Sequence, residues 1–350
     1  MTLSNLTNNR KELPKLAILG AGGLGIEMLG LLQKRTCLNP VGILDKSAFL
    51  FEREGLDLEQ TYLDLSQNKA VAKLKNAVLS GQTIEDFVFG YKDQIDCIFY
   101  ALPNLPNDFI YQITKKIISL GFKGVIVDAL KRTSAFKLIS RLDQELKEAK
   151  ILYVSGCGAT PGLLTAVSNI AAQSFVEIKS VEITFGVGIS NWEAYRATIR
   201  EDIAHLRDYS LEEASKMSET EIKDLLDKTN GILNLENMEH ADDIMLELAG
   251  ICDSSKVTVG GIVDTRNSQK PISTNVKITG FTYLGEESCH QFVLGDQTTM
   301  AANVCGSVLG YLNSATKNLK EYNLSGFYSA TDLMPKFSPT KIHKKVAQAV

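Results

Sequence analysis

The chain is expected to fold as an α/β protein, with an N-terminal Rossmann doubly wound parallel sheet and a second α+β domain. Three observations predict it. Short apolar runs alternate with longer stretches of helix-forming residues, the pattern of strand and helix in a doubly wound sheet. The first apolar run leads straight into a glycine-rich turn and a helix-forming stretch. Three later runs, 95–100, 124–127 and 151–154, are apolar almost throughout, as strands buried on both faces of a parallel sheet are. At 350 residues there is room for two full cores. The expected division is a dinucleotide-binding domain at 15–155, a substrate domain at 156–296, a helix at 297–316 returning to the first domain, and a tail at 317–350.

Taken in order, 16–19 reads as the first strand, and GAGGLG at 20–25 follows it directly, opening a helix at 26–34. This is the G-x-G-x-x-G pattern in its required context. Gly20 permits the tight turn, Gly22 lets a pyrophosphate approach the backbone, and Gly25 allows the helix to pack on the strand. Gly23 and Leu24 lie between them, at a helix N-terminus that faces the anion. A second strand at 41–44 ends in Asp45, placed to bind the adenosine ribose hydroxyls. Asp45 favours NAD. Lys46 and Ser47 can contact a 2′-phosphate and leave NADP open. Residues 50–92 carry a helical patch near 69–79 and turns at Gly81 and Gly90. The strand at 95–100 ends in Ala101, Leu102, Pro103 and Asn104, small or rigid residues that leave room for ribose and nicotinamide. A helix at 108–120 stops at Gly121, a left-handed cap. The strand at 124–127 and a helix near 134–150 follow.

SGCGATPG at 155–162 then opens a helix running to about 174. Gly158, Thr160 and Gly162 are candidate substrate contacts, since free amides at such a turn can receive a carboxylate; a pure turn is the alternative. Cys157 has no general base beside it in sequence and reads as a small packing residue. After a strand at 181–187, a helix begins at Trp192 and brings Arg196 and Arg200 onto one face, where two guanidiniums suit a substrate carboxylate. Ion pairing with Glu193, Glu201 or Asp202 is the competing role. Residues 210–248 read as helical and charged. His240 lies in that stretch and is the candidate for proton transfer near neutral pH; a solvated or paired histidine is the plainer reading. His205 also reads as helical, His290 lies in a strand and His343 in the tail. Strands are expected at 257–263 and 275–284, the latter turning into 290–294. A helix at 298–314, capped by Asp296, precedes the tail.

Composition excludes classes without choosing a function. Hydrophobic residues make up 44% and charged residues 22%, as in an ordinary globular protein. A net charge of −4 leaves no basic footprint for nucleic acid and no polybasic membrane patch. Six scattered cysteines without a CxxC pair read as reduced thiols of a cytoplasmic protein. The polar stretch 1–10 lacks the apolar core of a signal peptide, and no apolar run reaches membrane-spanning length. There is no internal repeat and no metal-ligand spacing. Oligomeric state does not follow from the sequence.

The organising stretch is DALKRT at 128–133. Lys131 stands just past the carboxyl end of a buried strand, the edge at which open α/β sheets bind ligands. A primary amine there can trap a carbonyl, provided it is neutral. With a reference pKa of about 10.4, reaching roughly 7–8 needs about 3–4 kcal/mol of destabilisation of the ammonium. Arg132 would help and Asp128 would oppose.

GAGGLG, DALKRT and SGCGATPG together resemble the saccharopine-dehydrogenase-like oxidoreductases and, within them, the BioU-type (S)-8-amino-7-oxononanoate synthases of biotin biosynthesis. The resemblance covers roughly 15–316. It implies a suicide enzyme with a reduced nicotinamide cofactor, NAD or NADP, in which the lysine itself donates nitrogen to the ketone of 8-amino-7-oxononanoate. Carboxylation by CO2 or bicarbonate, reoxidation and hydrolysis then release diaminononanoate carbamate and leave the lysine as an aldehyde. Lys131 matches that lysine by its place after the strand, and His240 matches the family's helical histidine. Two other readings stand beside it: a multiple-turnover dehydrogenase acting on C–N bonds, and a noncatalytic dinucleotide sensor. Product formed per chain separates all three.

Overall fold

The computed structural model describes residues 12–103, 106–189, 192–196, 198–295 and 299–336. Short apolar runs build the first sheet: β1 (Lys15–Leu19), β2 (Asn39–Leu44), β3 (Ala48–Phe51), β5 (Cys97–Tyr100), β6 (Gly124–Asp128) and β7 (Ile151–Ser155) are largely buried, and β4 (Val78–Leu79) is an exposed edge strand. Its order is β13-β7-β6-β5-β1-β2-β3-β4, with β13 formed by Gly326–Ser329. The pairs from β13 through β2 are parallel, and β3 and β4 add antiparallel at one edge. The order reverses between β5 and β1, the switch point at which such sheets open a crevice.

A second sheet, in the order β12-β11-β8-β10-β9, is built from β8 (Glu177–Gly188), β9 (Ile232–Leu235), β10 (Val257–Asp264), β11 (Asn275–Phe281) and β12 (Glu287–Val293). Only β8 and β10 run parallel in it. Each sheet has its own hydrophobic cluster. The helix Met300–Tyr322 leaves the second sheet and packs against β6 and the helix Gly23–Lys34 of the first. The α/β class with a doubly wound first sheet and a mixed second unit is as the sequence predicts.

Several element boundaries differ from the sequence reading, each for a local reason. The 69–79 patch is a short 3-10 turn, Val71–Lys73, followed by β4, and Gly90 lies inside the helix Thr83–Tyr91 rather than in a turn. The 134–150 helix is two, Thr133–Ser140 and Asp143–Ala149, the second starting where Asp143 and Glu145 bring acid to a new N-terminus. The 210–248 stretch breaks into Leu211–Lys216, Glu219–Lys228, β9 and Asp242–Leu248. Ser210 with Glu213 and Ser218 with Glu221 each form a capping box that starts a fresh helix, and Asn230 and Gly231 at positive φ end the second. The 298–314 helix is capped by Thr299 and runs on to Tyr322; Asp296 and Thr298 lie outside the described residues. The tail reading is corrected for 317–336. Asn323 in the left-handed region caps the helix, and β13 then joins β7, where Phe327 packs on Phe136 and Tyr153. His343 lies outside the described residues.

Candidate active site

At the switch point the backbone itself makes the surface. Gly20 has φ +114°, and a Cβ there would stand 2.2 Å from the Ala101 carbonyl oxygen, so only glycine fits between β1 and β5. The Gly20 amide donates to the Leu44 carbonyl (3.0 Å) and the Ala101 amide to the Leu19 carbonyl (2.8 Å), fastening three strand ends together. A Cβ on Gly25 would lie 2.0 Å from the Gly20 carbonyl oxygen, which is the close helix–turn packing expected of the third glycine. Gly22 and Gly23 are the opposite case: a Cβ on either meets no atom within 4 Å. The helix Gly23–Lys34 begins there with no side-chain cap and no acid in its first turn. Open space before uncapped amides fits a dinucleotide pyrophosphate. Leu24 is partly buried against the core, and Ala101, Leu102 and Pro103 follow β5 at the same edge. Asn104 lies outside the described residues.

Asp45 closes β2 beside this turn, but its carboxylate is largely engaged already. Oδ1 accepts from the Ser47 amide (2.8 Å), the Ser47 hydroxyl (2.8 Å) and the Ala48 amide (3.0 Å), and Oδ2 from the Val71 amide (3.0 Å). Partial burial works to raise its pKa, and these donors outweigh that and hold it below its usual value. Only Oδ2 keeps an acceptor direction for a ribose hydroxyl. The Ser47 hydroxyl is turned inward to Asp45, while Lys46 is exposed.

Two strands along the same edge, a distance of about 10 Å at ordinary strand spacing, β6 ends in a different environment. Asp128 is buried and accepts from the Leu130 amide (3.0 Å), the Gly156 amide (2.6 Å), Tyr153 (2.6 Å) and Ser155 (2.9 Å). Burial pushes its pKa up against those donors. It serves to lock the ends of β6 and β7, and the carboxylates facing Lys131 are others. The Lys131 Nζ lies 3.6 Å from Glu201 Oε1 and 3.5 Å from Asp202 Oδ1. Burial alone would lower the lysine pKa, but Glu201 and Asp202 outweigh it and raise it above its ordinary value. The resting protein therefore holds an ammonium. Arg132 does not help to neutralise it as expected, because its guanidinium is paired with Glu239. Glu239 Oε1 also accepts the Ser134 amide (2.6 Å).

Asp202 Oδ2 accepts from the Tyr195 hydroxyl (2.8 Å). His205, in the turn after the helix Ile199–Ile203, has Nε2 3.4 Å from an Arg132 nitrogen. Burial first, then the Arg132 charge, pushes its pKa down to about 4, so its imidazole is neutral near pH 7.

His240 is in the loop before the helix Asp242–Leu248 rather than within a helix, and it is neither exposed nor free. Its Nδ1 lies 2.7 Å from Asp242 Oδ2. An ionised carboxylate can only accept, so Nδ1 carries the hydrogen and Nε2 is left for other chemistry. Asp242 is buried as well, and Thr160 (2.6 Å) and Thr165 also donate to it. The Ala241 amide donates to the Lys131 carbonyl (2.7 Å), which ties the histidine loop directly to the lysine.

The 155–162 turn supports this assembly from behind. The amides of Gly162, Leu163 and Leu164 donate to Thr165 Oγ1, the Gly158 carbonyl and the Ala159 carbonyl, so these are not the free anion-binding donors expected of the turn. Gly162, at φ +131°, would place a Cβ 2.0 Å from the Gly158 carbonyl oxygen. Gly158 and Gly162 thus act here through backbone shape and Thr160 through Asp242. Cys157 is fully buried, and burial pushes its thiol well up, in keeping with a packing role.

Arg196 and Arg200 do not share one helix face, since they belong to the separate helices Trp192–Arg196 and Ile199–Ile203. Arg196 Nε donates to Glu219 (3.0 Å), and Arg200 donates to the Met217 carbonyl (2.7 and 3.0 Å) with Glu219 at 3.5 Å. The sequence reading missed Tyr195, His205 and Asp242, and it weighed Glu201 and Asp202 only as arginine partners. Surface depressions of about 480 Å³ near Tyr209 and about 460 Å³ near Asn234 contain none of the Lys131 cluster. Chemistry, not concavity, marks the site.

A glycine turn shaped for a dinucleotide, with a lysine–carboxylate–histidine cluster along the same sheet edge, defines a dehydrogenase-like enzyme architecture. Solved structures share the fold. An engineered D-amino acid dehydrogenase bound to NADP+ matches with a TM-score of 0.53 at 16% identity, over 96% of this chain and 98% of its own. The C. glutamicum DAP dehydrogenase in complex with DAP matches at 0.54 and 16%, over 92% and 94%. Apo saccharopine dehydrogenase (L-Glu forming) from Saccharomyces cerevisiae matches at 0.51 and 10%, over 91% and 94%. No family model matches the chain. A relative from Haloferax mediterranei, named (S)-8-amino-7-oxononanoate synthase BioU, is 40% identical over 349 residues, covering 92% of this chain and 98% of its own length. The chain belongs to the BioU synthase family and is an enzyme. Among the described residues no helix is long and apolar enough to cross a membrane.

Proposed function

We propose that this enzyme acts in biotin synthesis, converting 8-amino-7-oxononanoate to the carbamate of 7,8-diaminononanoate in a single turnover, with Lys131 as amino donor. The observation that carries the reading is the bond from the Ala241 amide to the Lys131 carbonyl, which joins the segment bearing the lysine to the loop bearing a buried His–Asp pair at the sheet edge. Gly20, Gly22, Gly23, Leu24 and Gly25, with Asp45 for its ribose hydroxyls, would hold a reduced nicotinamide dinucleotide, which would supply hydride at this edge. The Lys131 amine attacks the substrate ketone, water leaves, and nitrogen becomes bonded to both chains. His240, its Nδ1 held at Asp242, moves protons during imine formation or hydrolysis. Once CO2 or bicarbonate has modified the substrate amine, return of a hydride from the lysine ε-carbon to the oxidised dinucleotide would leave a C–N double bond on the lysine side. Water adding there releases product with the lysine nitrogen and leaves an aldehyde at residue 131. The test is isotopic. Protein labelled with heavy nitrogen at lysine should pass one label to each product, with no more than one product per chain and a hydrazine-reactive carbonyl at residue 131.

A second reading, a multiple-turnover dehydrogenase, is favoured by the raised lysine pKa, because an ammonium between two carboxylates suits binding or proton donation. Many unlabelled products per chain would select it.

A further inference from the structure

We infer that Glu201 is the proton shuttle of imine formation, taking a proton from the Lys131 ammonium and returning it to the ketone oxygen as that oxygen departs. The inference rests on the proposed meeting of Lys131 with a ketone. It begins from an anomaly in the packing. Glu201 is only 3% exposed, and its Oε1 has no hydrogen-bond partner among the described residues. A buried carboxylate oxygen without a donor is costly, and native proteins seldom keep one without use. The amine it faces is 3.6 Å away, across a lysine side chain that is itself 30% exposed. The lysine side chain is thus partly open to solvent, while the carboxylate it faces is closed off from it.

Asp202 is as near to the amine, at 3.5 Å, but its other oxygen is held by Tyr195. That donor fixes the Asp202 carboxylate in place beside the amine. Glu201 receives no such donor. Burial raises its pKa first, Lys131 opposes, Asp202 adds to the rise, and Arg132 opposes again. Proton uptake by Glu201 relieves its burial and leaves the second carboxylate in place.

The sequence of bonds balances. Glu201 takes one proton from the ammonium, giving a neutral amine and a carboxylic acid. The amine's lone pair forms the C–N bond, and the carbonyl π pair moves to oxygen. A second nitrogen proton passes to that oxygen, giving a carbinolamine. Glu201 then donates its proton to the hydroxyl, which leaves as water, while the nitrogen lone pair closes the protonated imine. One ammonium and one ketone become one iminium and one water, and Glu201 ends ionised as it began.

The experiment uses the full chain without dinucleotide, mixed with 8-amino-7-oxononanoate and cyanoborohydride, and follows the reduced adduct at residue 131 by mass spectrometry. Glu201→Gln should form it about 100-fold more slowly than the unaltered protein, and added formic or acetic acid buffer should restore the rate in proportion to its concentration. Asp202→Asn should stay within about tenfold. If Glu201 were only a countercharge, removing it would free the amine, so an unchanged or faster rate in Glu201→Gln overturns the inference. A slow variant that gains nothing from added acid overturns it as well. Dinucleotide binding reports whether the Gln variant is folded; if it is not, Glu201→Ala replaces it and should show the same loss and the same recovery with added acid, an unchanged rate again overturning the inference. Product made by the unaltered protein with no adduct ever trapped at residue 131 would strike the reading of Lys131 instead.

Discussion

The two ends of the crevice work by opposite means. At the β1 end the surface around the turn is backbone: Gly22 and Gly23 present nothing beyond their amides at the start of a helix, with Asp45 to one side. At the β6 end the surface is side chains, with Lys131, Arg132, Glu201, Asp202, Glu239 and His240 brought from three separate stretches of chain. A backbone site needs space and tolerates little else. A side-chain site needs partners, and its central amine takes its protonation state from whichever carboxylates the fold delivers. Substitutions should therefore break the first by filling it and the second by removing single atoms.

The largest effect should come at Lys131. Both Lys131→Ala and Lys131→Arg should lose all product, measured by mass spectrometry, while still binding the dinucleotide, because neither offers a primary amine that can become neutral. Product from either variant would detach the chemistry from this end of the crevice. Next, His240→Ala should lower single-turnover product formation about 100-fold with dinucleotide affinity intact. A full rate would reduce the His240–Asp242 pair to a structural one. Third, Gly22→Val should weaken dinucleotide binding at least about tenfold, since the new side chain enters the space meant for pyrophosphate. Its thermal midpoint should hold, because a Cβ at that position meets no protein atom within 4 Å. Unchanged affinity in the folded variant would move the dinucleotide elsewhere. The smallest effect is expected at Arg196 and Arg200, whose guanidiniums are directed to Glu219 and the Met217 carbonyl. Alanine at either should change the substrate concentration that gives half the maximal single-turnover rate less than about threefold, as for exposed ion pairs. A tenfold rise would return them to the substrate carboxylate.

The same contrast explains what could be read from the sequence. The positions of Gly20, Gly22, Gly25 and Lys131 past the ends of β1 and β6 were legible because each follows its strand closely in the sequence. The countercharges of Lys131 were not, since Glu201 and Asp202 reach it only through the packing of the second unit on the first. Asp45 was legible as the acid ending β2, but its bonds to Ser47, Ala48 and Val71 depend on a turn and a segment that carried no clear pattern. His240 was singled out by its chemistry and expected in a helix where the structure has a loop, because the capping boxes at Ser210 and Ser218 that divide the 210–248 stretch carry the helix starts. A four-residue strand such as β13 is too short to impose periodicity on a run of mixed composition.

The β7–β13 ladder bears on how the protein is made. Val154 pairs with Tyr328, so the edge of the first sheet waits for a partner that follows the entire second unit in the order of synthesis. A nascent chain that has emerged as far as β7 carries an open parallel edge and an uncovered apolar face, the condition in which strands mispair with neighbours. Chains truncated before 326 should reproduce that condition permanently, and the load they place on chaperones would measure how much of the first sheet depends on residues translated last.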